Sequence, residues 1–323
     1  MVKWLSFSVL LLPFPFMFDV PVKTHPVIIP TQVVENRFYA HPVTKDGIEL
    51  IFYTDSAGGV FMFRSVVDRL HLPTAKRKIE GEELEEVGFP DFQPGKGLPP
   101  PLGQDNKLFV RLENKDLIDH FGQGVSGMLG QQWFAGRVWT WDYPGRKLLW
   151  RAEGDLPQVA TAHRIRLGFV TNDHGKRFLN TSFGRIQATI DGEVIDLLFD
   201  TGASTTLTET AMKAINDGHA AQRATSFINK SIFDRWHTEH PDWRVIERAE
   251  KDTEAAMVEV PSLNVGGYDV GPVWFTVRPD KNFDQWMSQW TDKKVHGALG
   301  GSAFRFFRVT VDYPNAIAYF EEP

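Results

Sequence analysis

Two stretches of this chain repeat one another without a gap. Ser126-Gly127-Met128-Leu129-Gly130, continuing to Phe134 and Asp142-Tyr143-Pro144, matches His296-Gly297-Ala298-Leu299-Gly300, continuing to Phe304 and Asp312-Tyr313-Pro314. The offset is 170 residues throughout (297 − 127 and 312 − 142), and Thr140 and Thr310 coincide within it. Self-similarity at a fixed offset marks a duplicated unit. A chain of 323 residues has room for two such units, each with its own core.

Upstream of each copy, an apolar β-type run ends in an aspartate followed by small residues. These are 50–54 before Asp55-Ser56-Ala57-Gly58-Gly59, and 197–199 before Asp200-Thr201-Gly202-Ala203-Ser204. A helical pattern follows each aspartate: Ser65 to Asp68 has capping-box spacing, and Thr208 can cap 209–215. Short apolar runs broken by Gly and Pro, such as 186–190 before Asp191-Gly192, read as strands and hairpin turns, so the chain is expected to be mainly β. Residues 151–161 read as a linker or crossing strand, which divides the chain into 30–152 and 161–323. The greater length of the second half is expected as an insertion around 223–255, with helical spacing at Phe227, Ile228, Ile232, Phe233 and Trp236.

Charge and composition narrow the function. A formal net charge of −6 gives no basic surface for nucleic acid or anionic lipid. Without cysteine there is no disulfide framework, thiolate nucleophile or sulfur-ligated metal site. Lys3 followed by an apolar stretch over 4–18 has the charge order and length of a secretory signal and is too short to span a bilayer. Residues 1–20 are therefore expected to direct export, to a periplasm or out of the cell. The competing reading is a first strand, favoured by Pro13 and Pro15 and by the lack of a small-x-small cleavage site.

Two carboxylates brought together by a duplication cannot both ionise cheaply, so one proton is held between them. One group then acts as base and the other as acid toward a water and a peptide carbonyl, with no metal or cofactor required. Phe199-Asp200-Thr201-Gly202-Ala203-Ser204, with 297–300 and a strand ending at Asp312-Tyr313-Pro314, resembles the retropepsin and pepsin clan of aspartic peptidases. Asp55-Ser56 with 127–130 resembles the same unit in weaker form. The resemblance covers most of 30–322 and implies two retropepsin-like β-barrel lobes in tandem, with an active cleft between them. It implies Asp55 and Asp200 as the catalytic pair, Ser56 and Thr201 as hydroxyls bracing the two loops, and Gly58, Gly202 and Ser204 as loop-shaping residues. It also implies a peptide or protein substrate and a monomer built as an intramolecular pseudo-dimer. At Ala57 the chain departs from the family's usual glycine. That departure keeps open an inactive, peptide-binding relative, and paired carboxylates with tryptophans also suit a glycosidase.

Other motifs read as structural. Gly122, Gly124 and Gly127 fit a dinucleotide-binding spacing but follow no buried strand. His237-Thr238-Glu239-His240 lacks the i, i+4 histidine pair of a zinc-peptidase helix and reads as a solvated face. Asp142 and Asp312 each precede Tyr-Pro, where an Asx-type turn accounts for them. Trp236, Trp243, Trp274, Trp286 and Trp290 are expected in the core or at the lobe interface.

Overall fold

A computed structural model describes residues 26–79, 81–102 and 106–323; the 1–20 segment lies outside them. The chain is mainly β, in three large sheets. Six strands form the central sheet, in the order Val27–Ile29, Lys147–Arg151, Val138–Asp142, Arg308–Asp312, Ile317–Glu321, Arg164–Arg166. Three come from each half. Its middle pair is antiparallel, with Val138 opposite Asp312, Thr140 opposite Thr310 and Asp142 opposite Arg308.

This register gives the sequence repeat a geometric meaning. Thr140 and Thr310 are related by the 170-residue offset and also face each other, so the two-fold axis relating the halves must pass between them. Their hydroxyls meet at 2.6 Å in the buried interior, and Thr140 Oγ1 also accepts from Arg151 Nε at 2.7 Å. The neighbouring Trp139 and Trp141 are fully buried. At the strand ends, Asp142 accepts from the amide of Gly145 at 2.8 Å and Asp312 from that of Asn315 at 3.0 Å. The repeated Asp-Tyr-Pro triplets are thus Asx-type turns, as read from the sequence.

Each half adds its own sheet, of eight and nine strands. In the first, Phe52–Thr54 runs parallel to Gly127–Leu129, which pairs antiparallel with Val60–Phe63. In the second, Glu193–Phe199, Gly297–Leu299 and Ser226–Asn229 make the same three-stranded arrangement. The repeated Leu-Gly segments are therefore the strands beside the aspartates. Their glycines are needed because a Cβ at Gly130 would overlap the carbonyls of Gly58 and Gly59, and one at Gly300 that of Thr225. The eight-stranded sheet runs from Thr31–Val34 at one edge to Thr74–Ile79 at the other.

The insertion lies elsewhere than expected. The offset between equivalent residues is 145 at the aspartates (200 − 55) but 166 at Phe227 and Phe61, which hold the same place opposite Ala298 and Met128. Most of the added length is therefore between 203 and 226, not at 223–255. It forms a strand Ser204–Thr206 paired with Gln222–Ala224 and, between them, a helix Glu209–Ile215. Thr208 caps that helix, accepting from the amide of Ala211 at 3.2 Å. The helix Lys230–Glu239 instead follows Ser226–Asn229 as Arg64–Arg69 follows Val60–Phe63, so it belongs to the repeated unit. Its Phe233 and Trp236 enter the core, which is the amphipathic spacing seen in the sequence. Ser65 does not cap the helix Arg64–Arg69, whose N-cap is Phe63.

The added segment ties the halves together. Ala224 N donates to Glu35 O at 3.0 Å, and Gln222 Nε2 to His120 O at 2.7 Å. Among the described residues, no helix is long and apolar enough to cross a membrane.

Removing the Thr310 hydroxyl breaks one bond, while removing that of Thr140 also strips Arg151 of an acceptor. Thr310→Val is expected to cost about 1 kcal/mol and Thr140→Val about 2–3 kcal/mol in urea unfolding. Equal losses would contradict the assigned bonding.

Candidate active site

Asp55 and Asp200 stand at the ends of equivalent strands, and the backbone holds them in the same way. The amide of Asp55 donates to Leu129 O and that of Asp200 to Leu299 O, each at 3.0 Å. Two residues on, Ala57 N donates to Asp55 Oδ1 at 2.8 Å and Gly202 N to Asp200 Oδ1 at 3.0 Å. Each loop thus folds back on its own carboxyl.

The hydroxyl residues that follow lock the loops to one another. Ser56 N donates to Thr201 Oγ1 at 3.1 Å, Thr201 N donates to Ser56 Oγ at 2.9 Å, and Ser56 Oγ donates to Phe199 O at 2.8 Å. Ser56 and Thr201 are each 1% exposed, so these bonds form away from competing water. Gly202 is required because a Cβ there would overlap Asp55 Cγ. At Gly58 it would come within 2.7 Å of Asp55 Oδ2. Ser204 is buried and opens the strand paired with Ala224.

The departure at Ala57 is accommodated on one side only. Its methyl packs toward Leu198, Phe283, Val295 and Ala298, while its amide keeps the bond to Asp55.

The two carboxyl groups are close enough to act on one another's ionisation. Burial pushes both above the usual carboxylate range. Asp200 goes much further up, because the charge of Asp55 adds to burial, against the lowering effect of the Gly202 and Ala203 amides. For Asp55, burial is offset by the amide of Ala57, the hydrogen bond from Asp200 and the amide of Gly58. The pair therefore favours holding one proton between its two carboxyls. Asp200 is 9% exposed and Asp55 is half-buried, so the pair retains a face toward solvent.

Beside Asp200 lies a cavity of about 420 Å³, lined by Ala57, Leu198, Phe227, Phe283, Trp286 and Met287. Arg278 completes one wall; its guanidinium lies 4.3 Å from the Phe227 ring centroid and pairs with Glu250 at 2.6 and 2.8 Å. Sequence reading missed this wall. Trp286, expected in the core or at the lobe interface, is 64% exposed and lines the cavity, and Trp290 is also exposed, whereas Trp236 is core. The π-helical turn Lys281–Trp286 that carries Phe283 and Trp286 has no periodic signature in sequence. A larger cavity, about 530 Å³, lies around Arg137 and Trp150 and shares none of these residues.

The stretch 122–127 follows a helix, Lys115–Phe121, and lacks the strand-to-helix turn that cradles a dinucleotide. His240 pairs with Asp191 at 2.7 Å and stacks on Trp243, and Asp191 and Glu239 beside it are exposed.

No protein-family model and no curated protein matches the sequence. Among solved structures, the chain is similar to an aspartic proteinase from Irpex lacteus, with 9% identity and a TM-score of 0.48 over 92% of this chain and 97% of that one. It is also similar to EDGP, with 9% identity and a TM-score of 0.44 over 92% of this chain and 95% of that one.

The raised carboxyls tie stability to pH. Because the folded-state value of Asp200 lies above the unfolded one, the folded protein binds more protons between the two, and stability falls as pH rises through that window. Asparagine keeps the shape, can accept from Gly202 N, and cannot ionise. Asp200→Asn is therefore expected to melt above the parent at neutral pH, with the gap closing toward about pH 4. A variant that melts below the parent at neutral pH would contradict the buried proton.

Proposed function

We propose that this chain is an aspartic endopeptidase in which Asp55 and Asp200 activate a water against a peptide bond. The observation that carries this reading is the meeting of the two aspartate loops, each folded back on its own carboxyl by a mirrored backbone bond and locked to the other by the crossed bonds of Ser56 and Thr201. In the proposed reaction, the Asp55 carboxylate takes a proton from water as the water oxygen attacks the carbonyl carbon. Asp200 gives its proton to the carbonyl oxygen, forming a tetrahedral diol. Return of a proton to the amide nitrogen breaks the C–N bond and releases the amine.

The substrate of this reading is an extended peptide lying between the two halves of a single chain. The apolar cavity beside Asp200 suits one large apolar side chain next to the scissile bond. The apolar stretch over 4–18 makes export part of the proposal. A peptide-binding protein without catalysis is the alternative that Ala57 suggested. The retained bond from Ala57 N to Asp55 favours the catalytic reading over it.

The test is cleavage of a diverse peptide mixture, read by mass spectrometry from acid to neutral pH. Asp55→Asn and Asp200→Asn are each expected to lower the rate by at least 100-fold while the protein stays folded. Retained cleavage in either variant, or none in the parent, would sink the peptidase reading.

A further inference from the structure

Two residues before each aspartate, the halves differ. The first has Tyr53 and the second has Leu198. Tyr53 is fully buried, its ring 5.4 Å from Phe121, 5.2 Å from Tyr39 and 6.3 Å from His120. Its hydroxyl crosses to the other half and donates to the carbonyl of Gly202 at 2.6 Å.

Gly202 is also the residue whose amide donates to Asp200 Oδ1, at 3.0 Å, while the next amide, that of Ala203, closes the turn onto the main-chain carbonyl of Asp200 at 3.4 Å. Fixing the Gly202 carbonyl steadies the residue that holds the carboxyl, and hydrogen bonds in a chain reinforce one another where water is excluded. A relay therefore runs from the Tyr53 hydroxyl through Gly202 to the Asp200 carboxyl. The related residue in the first loop is Ala57, whose amide donates to Asp55 Oδ1 at 2.8 Å, but Leu198 has no hydroxyl to offer its carbonyl.

We propose that Tyr53 is a positioning residue for the carboxyl pair, holding Gly202 so that its amide stays on the Asp200 carboxyl. The inference rests on reading Asp55 and Asp200 as a working pair. It adds that the first half tunes the carboxyl of the second, and that this tuning runs in one direction only.

Several groups face the relay. Asp55 acts on Asp200, and the charges of Asp200 and Asp55 act in turn on the buried Tyr143 and Tyr313. The charges of Arg37, Asp55 and Asp200 and the phenol of Tyr39 act on Tyr53, while Arg37 also acts on His120. Burial, then the negative charge of Asp55, pushes the Tyr53 hydroxyl up, so it remains a donor across the working range.

The closing experiment follows the aspartate carboxyls of the full chain by carbon-13 NMR titration, in the parent, Tyr53→Phe and Tyr39→Phe. Tyr39 is the control: its buried hydroxyl bonds to Phe121 O at 3.3 Å and does not touch the loop. Without the relay the Asp200 carboxylate is less favoured, so the upper titration step of the pair is expected to rise by about half a pH unit in Tyr53→Phe. The alkaline limb of kcat/KM should move with it, and neither should move in Tyr39→Phe. An unchanged upper step in Tyr53→Phe, or an equal shift in both variants, overturns the proposal. The expected NMR shift in a chain that cleaves no peptide supports the relay and counts against the peptidase reading alone.

Discussion

The contact between the carboxyls of Asp55 and Asp200 is the constraint on which the rest of the structure depends. Two acidic side chains cannot be held together inside a protein unless one is neutral and both are bonded. The loops therefore supply amides to each carboxyl, and the crossed bonds of Ser56 and Thr201 keep the loops from parting. Further back, the paired Thr140 and Thr310 fix the axis about which the halves are related. Small residues recur for the same reason. Gly58 and Gly202 make room at the carboxyls, and Gly130 and Gly300 let neighbouring strands pass close behind them.

Symmetry brings the carboxyls together, and departures from it give them different roles. Asp200 is the more deeply buried of the two. Ala57 sends its methyl to the wall of the cavity, whereas a methyl at Gly202 would strike Asp55. The segment between 203 and 226 exists in one half only and reaches across to Glu35 and His120. An exact two-fold would give two equivalent acids; these differences make the two carboxyls inequivalent.

The sequence made the core of this arrangement legible because the duplication displays it twice. The 170-residue offset predicts the paired strands, and apolar runs ending in Asp55 and Asp200 predict where the carboxyls sit. The Thr208 cap could be read locally because a cap is a short-range bond between near neighbours. The place of the insertion could not. Phe227 and Ile228 fit a helical stripe as well as a strand, and only pairing with Gly297 and Ala298 makes them strand. The cavity wall was hidden for a similar reason, since exposure of Trp286 depends on a turn with no periodic pattern. Tyr53 carries no local sign that its hydroxyl crosses between halves.

A difference titration tests the shared proton most directly, by comparing the proton uptake of the folded parent with that of Asp200→Asn. The account predicts that the parent retains one extra proton well above the ordinary carboxylate range, near pH 4, and that the variant does not. Release of that proton together with the ordinary surface carboxylates would mean that the two groups titrate independently, and the account of the site would fail.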